Sequence, residues 1–150
     1  MFPREVYSQP DVPDPVLDPN IVLRLARLHY TSAKAVTSVD ESGGEARTYG
    51  IDDKYIFKTQ RPHRLRPSTS LKKEVFFLNQ LAAKMPDLPV PHVLGYGQEG
   101  YIEYTLMTRM PGKAFRHFTV EGEKRRSVMR DLGMTLKQIH SLDLAPFEES

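Results

Sequence analysis

A lysine closes the apolar run Tyr55-Ile-Phe-Lys58, and few folds can accommodate it. The aromatic and β-branched residues of that run predict a strand over 55–59. An ammonium group on a core strand is costly to bury unless an anion meets it. The neighbouring sequence offers two ways to supply one. Upstream lies the turn Ser42-Gly-Gly-Glu45, where backbone N–H groups can approach a bound anion. Downstream lies an amphipathic segment carrying Glu74. Strand alternation puts Lys58 on a face with Lys54 and Ile56, and Tyr55, Phe57 and Thr59 on the other. Lys58 is therefore expected at a half-buried cleft, and a strand-end lysine turned to water is the plainer alternative. The plainer reading of Gly43-Gly44 is an ordinary hairpin turn.

The rest of the chain builds outward from that strand. Prolines at 3, 10, 13 and 15 make residues 1–17 an extended arm. Asp18-Pro19 starts a helix, because the carboxylate caps free N–H groups and proline suits the first turn. The helix is expected to run to about His29 with Ile21, Leu25 and Leu28 inward. Strands are expected over 35–39 and 46–51, with Asp52-Asp53 as a tight connection to the lysine strand. Residues 61–70 read as a loop. Residues 71–85 read as a helix with Leu71, Val75, Leu78, Ala82 and Met85 in one stripe. Pro89-Val-Pro91 is a stiff connector, and Val93-Leu94 should pair with 101–108 around 95–100. Pro111-Gly112 breaks the chain before a helix over 123–142, with Val128, Leu132, Thr135, Leu136 and Ile139 inward. The class is α+β.

Composition narrows the functional classes. The chain is 39% hydrophobic and 27% charged over 150 residues, which describes an ordinary folded domain rather than a disordered tract. A net charge of +2 does not by itself imply a nucleic-acid partner. With no cysteine, disulfides and thiolate metal sites are excluded. No run approaches the roughly 20 apolar residues of a membrane span. The acidic, proline-rich start is no signal peptide, so a cytoplasmic location is expected.

Two motifs are decoys. Gly95-Tyr-Gly97-Gln-Glu-Gly100 spells G-x-G-x-x-G, but a dinucleotide site needs a helix after it and here an alternating strand pattern follows. The basic run Arg61, Arg64, Arg66, Lys72 and Lys73 lacks interleaved aromatic residues for base stacking and reads as a solvated loop. The five histidines show no paired metal spacing.

From about Val36 to Pro146 the chain resembles the N-terminal lobe of aminoglycoside phosphotransferases, a branch of the protein-kinase-like fold. The resemblance rests on Ser42-Gly-Gly-Glu45, on Tyr-Ile-Phe-Lys58 and on the Glu74 helix ending LNQLAAKMPDLPVPHVL. It continues through YTLMTRMPGKAF and LKQIHSLDLAPF, in that order. It implies an antiparallel sheet of about five strands with one packed helix. Residues 1–34 would be an arm and helix, 35–110 an ATP-binding lobe, and 111–150 the exit and first helix of a second lobe. ATP, with magnesium in the family, would lie against Gly43, Gly44 and Glu45. Lys58 would neutralise phosphate charge, and Glu74 would hold Lys58. Met107, Thr108, Arg109 and Met110 would supply the adenine-binding hinge, chiefly through backbone groups. His140 would be a packing position.

The family's His-x-Asp loop and later metal-binding Asp have no counterpart in this sequence, which ends at Ser150. The resemblance therefore implies the front portion of a kinase for a small hydroxyl-bearing substrate, inactive alone, with no catalytic or metal residue of its own. An apolar face on the last helix would then favour self-association. The alternatives are a non-catalytic nucleotide-binding or interaction module, and a basic nucleic-acid-binding domain.

Overall fold

The structure is a computed structural model, and it describes residues 13–62, 71–112, 119–143 and 145. Most of the predicted arm and loop, with His63, Arg64, Arg66 and His117, lies outside the described residues. The elements are α1 (Pro19–Arg27), β1 (Val36–Asp40), β2 (Ala46–Ile51), β3 (Tyr55–Gln60), α2 (Leu71–Lys84), β4 (Val93–Glu99), β5 (Ile102–Thr108) and α3 (Gly122–His140). The strands form one antiparallel sheet in the order β1-β2-β3-β5-β4. This is the α+β, kinase-like lobe that the resemblance implies.

The chain divides into two compact units. One holds residues up to 79 together with 91–109, and the other holds 80–90 together with 110–150. The sheet and α1 belong to the first. Its core lies on the sheet face that carries Tyr49, Ile51, Phe57, Ile102, Tyr104 and Leu106, closed by Leu17, Val22, Leu25, Ala26 and Ala33. Phe57 stacks on Tyr104 with ring centroids 4.9 Å apart, and Tyr49 meets Phe57 edge-on. Burial of each such side chain contributes about 1.5–3 kcal/mol.

The start of α1 is the predicted one. Asp18 accepts a hydrogen bond from the Asn20 N–H at 2.7 Å, and Pro19 fills the first turn. Its buried face differs from prediction: Val22, Leu25 and Ala26 are buried, while Ile21 and Leu28 are exposed. Both sets are stripes that a 3.6-residue helix allows and they share Leu25, so periodicity alone does not choose between them; the face that meets the sheet is the one turned toward Val22 and Ala26. Leu17, at the end of the arm, joins the core and donates its N–H to the Tyr49 hydroxyl at 3.0 Å.

The β2–β3 connection is a tight turn, with Lys54 N bonded to Ile51 O at 3.0 Å and positive φ at both Asp52 and Asp53. Asp52 also accepts from the Lys34 and Ala35 N–H groups, fixing the approach to β1. The β4–β5 hairpin departs from prediction, because β4 runs through Glu99 and only Gly100-Tyr101 turns. Gly95 and Gly97 are strand residues beneath rings. A Cβ at Gly95 would lie 2.1 Å from the His29 ring, and one at Gly97 would lie 2.5 Å from the Tyr104 hydroxyl. The G-x-G-x-x-G spelling thus serves packing, and Gly100 turns the chain at φ +58°.

Helix α2 starts as expected and ends one residue before Met85. Leu71, Leu78 and Leu81 are buried along it, whereas Val75 and Ala82 are half-buried. Helix α3 has no buried residue: Val128, Thr135 and Ile139 are half-buried, and the predicted inward residues Leu132 and Leu136 are exposed. An apolar stripe gives a helix a face to cover, but burial also needs a surface, and the described residues do not bury this one.

Candidate functional site

The sheet face opposite the core is polar at its centre. Register places Thr48, Lys58, Thr105 and Tyr96 in one cross-strand row over β2, β3, β5 and β4. The next row holds Gly50, Ile56 and Met107. Side chains in a row project to the same side, so Lys58 leaves the sheet between hydroxyl-bearing neighbours and away from the aromatic core. Helix α2 brings Glu74 to it, and the Lys58 Nζ donates to Glu74 Oε2 at 2.6 Å. Side-chain exposures of 25% and 36% place the pair in a cleft rather than in the interior or in bulk water. Lys58, Glu74, Lys73, Leu71, Glu45 and Gln60 line an open cavity of about 250 Å³ beside it.

The glycine turn lies at the mouth of this face. Gly43, Gly44 and Glu45 are exposed, and Glu45 lines the cavity together with Lys58. Neither glycine adopts the positive φ that a nest of N–H groups invites. Gly43 is required by closeness instead, since a Cβ there would meet the Ala46 carbonyl at 2.6 Å. Glu45 contributes its carbonyl to Gln60 Nε2 at 2.9 Å and to the Arg61 N–H at 3.0 Å.

The strand end Met107–Arg109 is partly committed. Met107 is buried on the face of Lys58, where it can form an apolar wall. The Thr108 N–H donates to His92 O and the Arg109 N–H to Lys54 O, each at 2.9 Å. Those two donors are engaged within the lobe, and the Thr108 hydroxyl accepts from the His92 N–H at 2.9 Å. Arg109 is exposed, with Asp53 at 3.5 Å. Met110 is exposed and opens the second unit.

Two features escape sequence reasoning. Glu103 is 7% exposed on the lysine's side of the sheet and accepts hydrogen bonds from the Tyr96 hydroxyl at 3.1 Å and from the Lys72 N–H at 3.3 Å. It ties β4 and the first turn of α2 to β5, the turn that carries Glu74. Burial, then the adjacent Glu103 carboxylate, raises the Tyr96 pKa above its ordinary value. The alternation Ile-Glu-Tyr-Thr was the available signal, because it sets Glu103 two residues from Thr105 on one face. The second feature is an ion-pair network on the other face, in which Arg47 and Arg61 share Asp14. Arg61 of the basic run is thereby committed to the protein.

Among curated proteins, none matches this chain. Among solved structures, it is similar to the one described as the streptomycin–ATP–APH(2″)-IIa ternary complex, at 16% identity and a TM-score of 0.56, over 86% of this chain and 42% of that one. That likeness extends to the fold, and the chain spans about two fifths of that protein's length. A family model described as the phosphotransferase enzyme family, APH, matches residues 36–150. The chain therefore belongs to the APH phosphotransferase family.

Proposed function

We propose that the lobe over 35–110 holds the triphosphate of ATP for a phosphotransferase that modifies a hydroxyl group on a small molecule. The observation that carries this reading is the Lys58–Glu74 contact at 2.6 Å, set on the polar sheet face beside an open cavity. Lys58 would meet the α- and β-phosphates, and Glu74 would keep the ammonium pointed at them. Thr48 flanks it with a half-buried hydroxyl suited to anionic oxygens, while the buried Thr105 hydroxyl donates to the Gly95 carbonyl at 3.0 Å. The adenine would lie toward Met107, with the carbonyls of the strand end along its edge.

The exposed glycine turn and the Lys58 ammonium form a donor set suited to a polyphosphate. The sequence has no His-x-Asp, so positioning of the acceptor hydroxyl falls to groups that this chain lacks. Taken alone, the chain should bind nucleotide without turning it over. A cytoplasmic location, where ATP is plentiful, suits that reading. Self-association is part of the same reading, through the α3 face bearing Met129, Leu132 and Leu136. The nucleic-acid alternative is weakened because Arg61 bonds to Asp14, Glu41 and Gly43 rather than facing out.

Calorimetric titration with Mg-ATP tests the proposal. Wild-type protein should bind, and Lys58→Ala should weaken binding by about tenfold or more, in line with loss of a charge-assisted contact. Equal affinity in the two proteins would remove the phosphate role of Lys58.

A further inference from the structure

The arm before the family-matched region reaches the glycine turn through a chain of charged contacts. Arg61 follows β3 and lies on the core side of the sheet, where it is 12% exposed. Its guanidinium donates from Nε to the Gly43 carbonyl at 3.0 Å and from one terminal nitrogen to the Glu41 carbonyl at 2.7 Å. The other terminal nitrogen donates to Asp14 Oδ2 at 2.6 Å. Asp14 is itself held, because Arg47 donates to its Oδ1 at 2.9 Å and to its main-chain carbonyl at 3.1 Å. Arg47, only 4% exposed, also bonds Glu41 Oε1 at 2.7 Å. Asp14 thus joins two guanidinium groups that would otherwise repel each other.

The consequence for the turn follows from peptide geometry. All peptide bonds of the described chain are trans. In a trans peptide the carbonyl of one residue and the N–H of the next point in opposite directions. With the Gly43 carbonyl drawn toward Arg61, the Gly44 N–H is directed away from it. Gly44 is exposed, and a side-chain carbon built there meets nothing within 4 Å among the described residues, so the turn has room for a ligand beside it.

We propose that Arg61, seated by Asp14, is a positioning residue that orients the Gly43-Gly44 peptide so that its N–H can serve the terminal phosphates of the nucleotide. The arm residue Asp14, outside the matched span 36–150, is then part of the binding apparatus. This inference rests on the nucleotide reading above. It adds a requirement that Lys58 and Glu74 do not impose, namely that the turn be held from the far face by the arm.

The experiment compares wild-type chain with Asp14→Asn and Arg61→Lys. Arg61→Lys keeps the charge but offers a point donor in place of a planar fork that can span three acceptors. Amide hydrogen exchange over 42–46 in the nucleotide-free protein reads the hold on the turn. Affinities for Mg-ATP and for adenosine read its use. The proposal expects exchange in the turn to accelerate at least severalfold in both variants, and expects Mg-ATP affinity to fall by about tenfold, the equivalent of one charge-assisted hydrogen bond. Adenosine affinity should stay as in wild type, which a general loss of structure would not allow. Unchanged exchange overturns the proposal, as does faster exchange with unchanged Mg-ATP affinity or an equal loss for adenosine. Should wild type fail to bind Mg-ATP while exchange still accelerates in the variants, the nucleotide reading falls and takes this inference with it. That pattern is distinct from a failure of the arm alone.

Discussion

Lys58 and Glu74 are each partly open to water, and that decides what their contact is for. An ion pair with this exposure is worth at most about 1 kcal/mol after solvent screening. Lys58→Ala should therefore change urea-unfolding stability by less than about 1 kcal/mol, and a much larger loss would assign the pair to the framework. The Arg24–Glu99 pair, which joins α1 to β4, gives a pH signature instead. Its hydrogen bond from Arg24 holds the Glu99 carboxyl below the usual carboxylate range. A carboxylate with a depressed folded pKa stabilises the fold above its unfolded pKa of about 4.3, and that contribution is lost as pH falls through the folded value. Unfolding measured from pH 6 downward should show a shallower loss for Arg24→Gln than for wild type; parallel curves would contradict it. The pair at 58 and 74 was expected chiefly from the order of elements in the resembled family, since strand phase alone left Lys58 open to either a cleft or water. Asp14 and Arg61 were not, since nothing local in a proline-rich arm signals a partner 47 positions away.

At the scale of elements, close approach explains glycines that spelling alone misassigns. Gly97→Ala should destabilise the protein by about 1–3 kcal/mol, because its Cβ would sit against the rigid Tyr104 ring rather than the end of a flexible chain. Gly100→Asn should be nearly neutral, since asparagine tolerates the left-handed region and no neighbour crowds the position. Thermal melts separate the two cases, and equal losses would contradict this account of the hairpin. The β2–β3 turn carries a similar contrast. Asp53→Gly should stabilise by up to about 1 kcal/mol through relief of its positive φ. Asp52→Gly should not, because it removes the carboxylate that receives the Lys34 and Ala35 N–H groups. Element types were readable from periodicity, and helix α1 from its capping aspartate. The extent of β4 was not, because Gly95 and Gly97 look like turn residues until the rings of His29 and Tyr104 are known to lie over them.

On the scale of the molecule, sheet order and the matched span 36–150 make this a phosphotransferase-family chain with its aromatic core on one sheet face and its polar cleft on the other. The second unit is different in kind. Helix α3 displays Met129, Leu132, Met134 and Leu136 to solvent. Sedimentation at micromolar concentration should detect association that Leu132→Glu reduces; a monomer unaffected by that change would show that the face needs no cover. The apolar stripe of α3 could be read from the sequence, but the stripe does not say what surface meets it, and Leu132 and Leu136 of the expected inward set are exposed. The central claim concerns Lys58 acting on phosphate with Glu74 acting through Lys58. A double-mutant cycle on these residues, read as Mg-ATP affinity, tests it most directly. Glu74→Gln should weaken binding severalfold in wild type and have no further effect once Lys58 is alanine. Independent, additive losses, or none at either position, would contradict it.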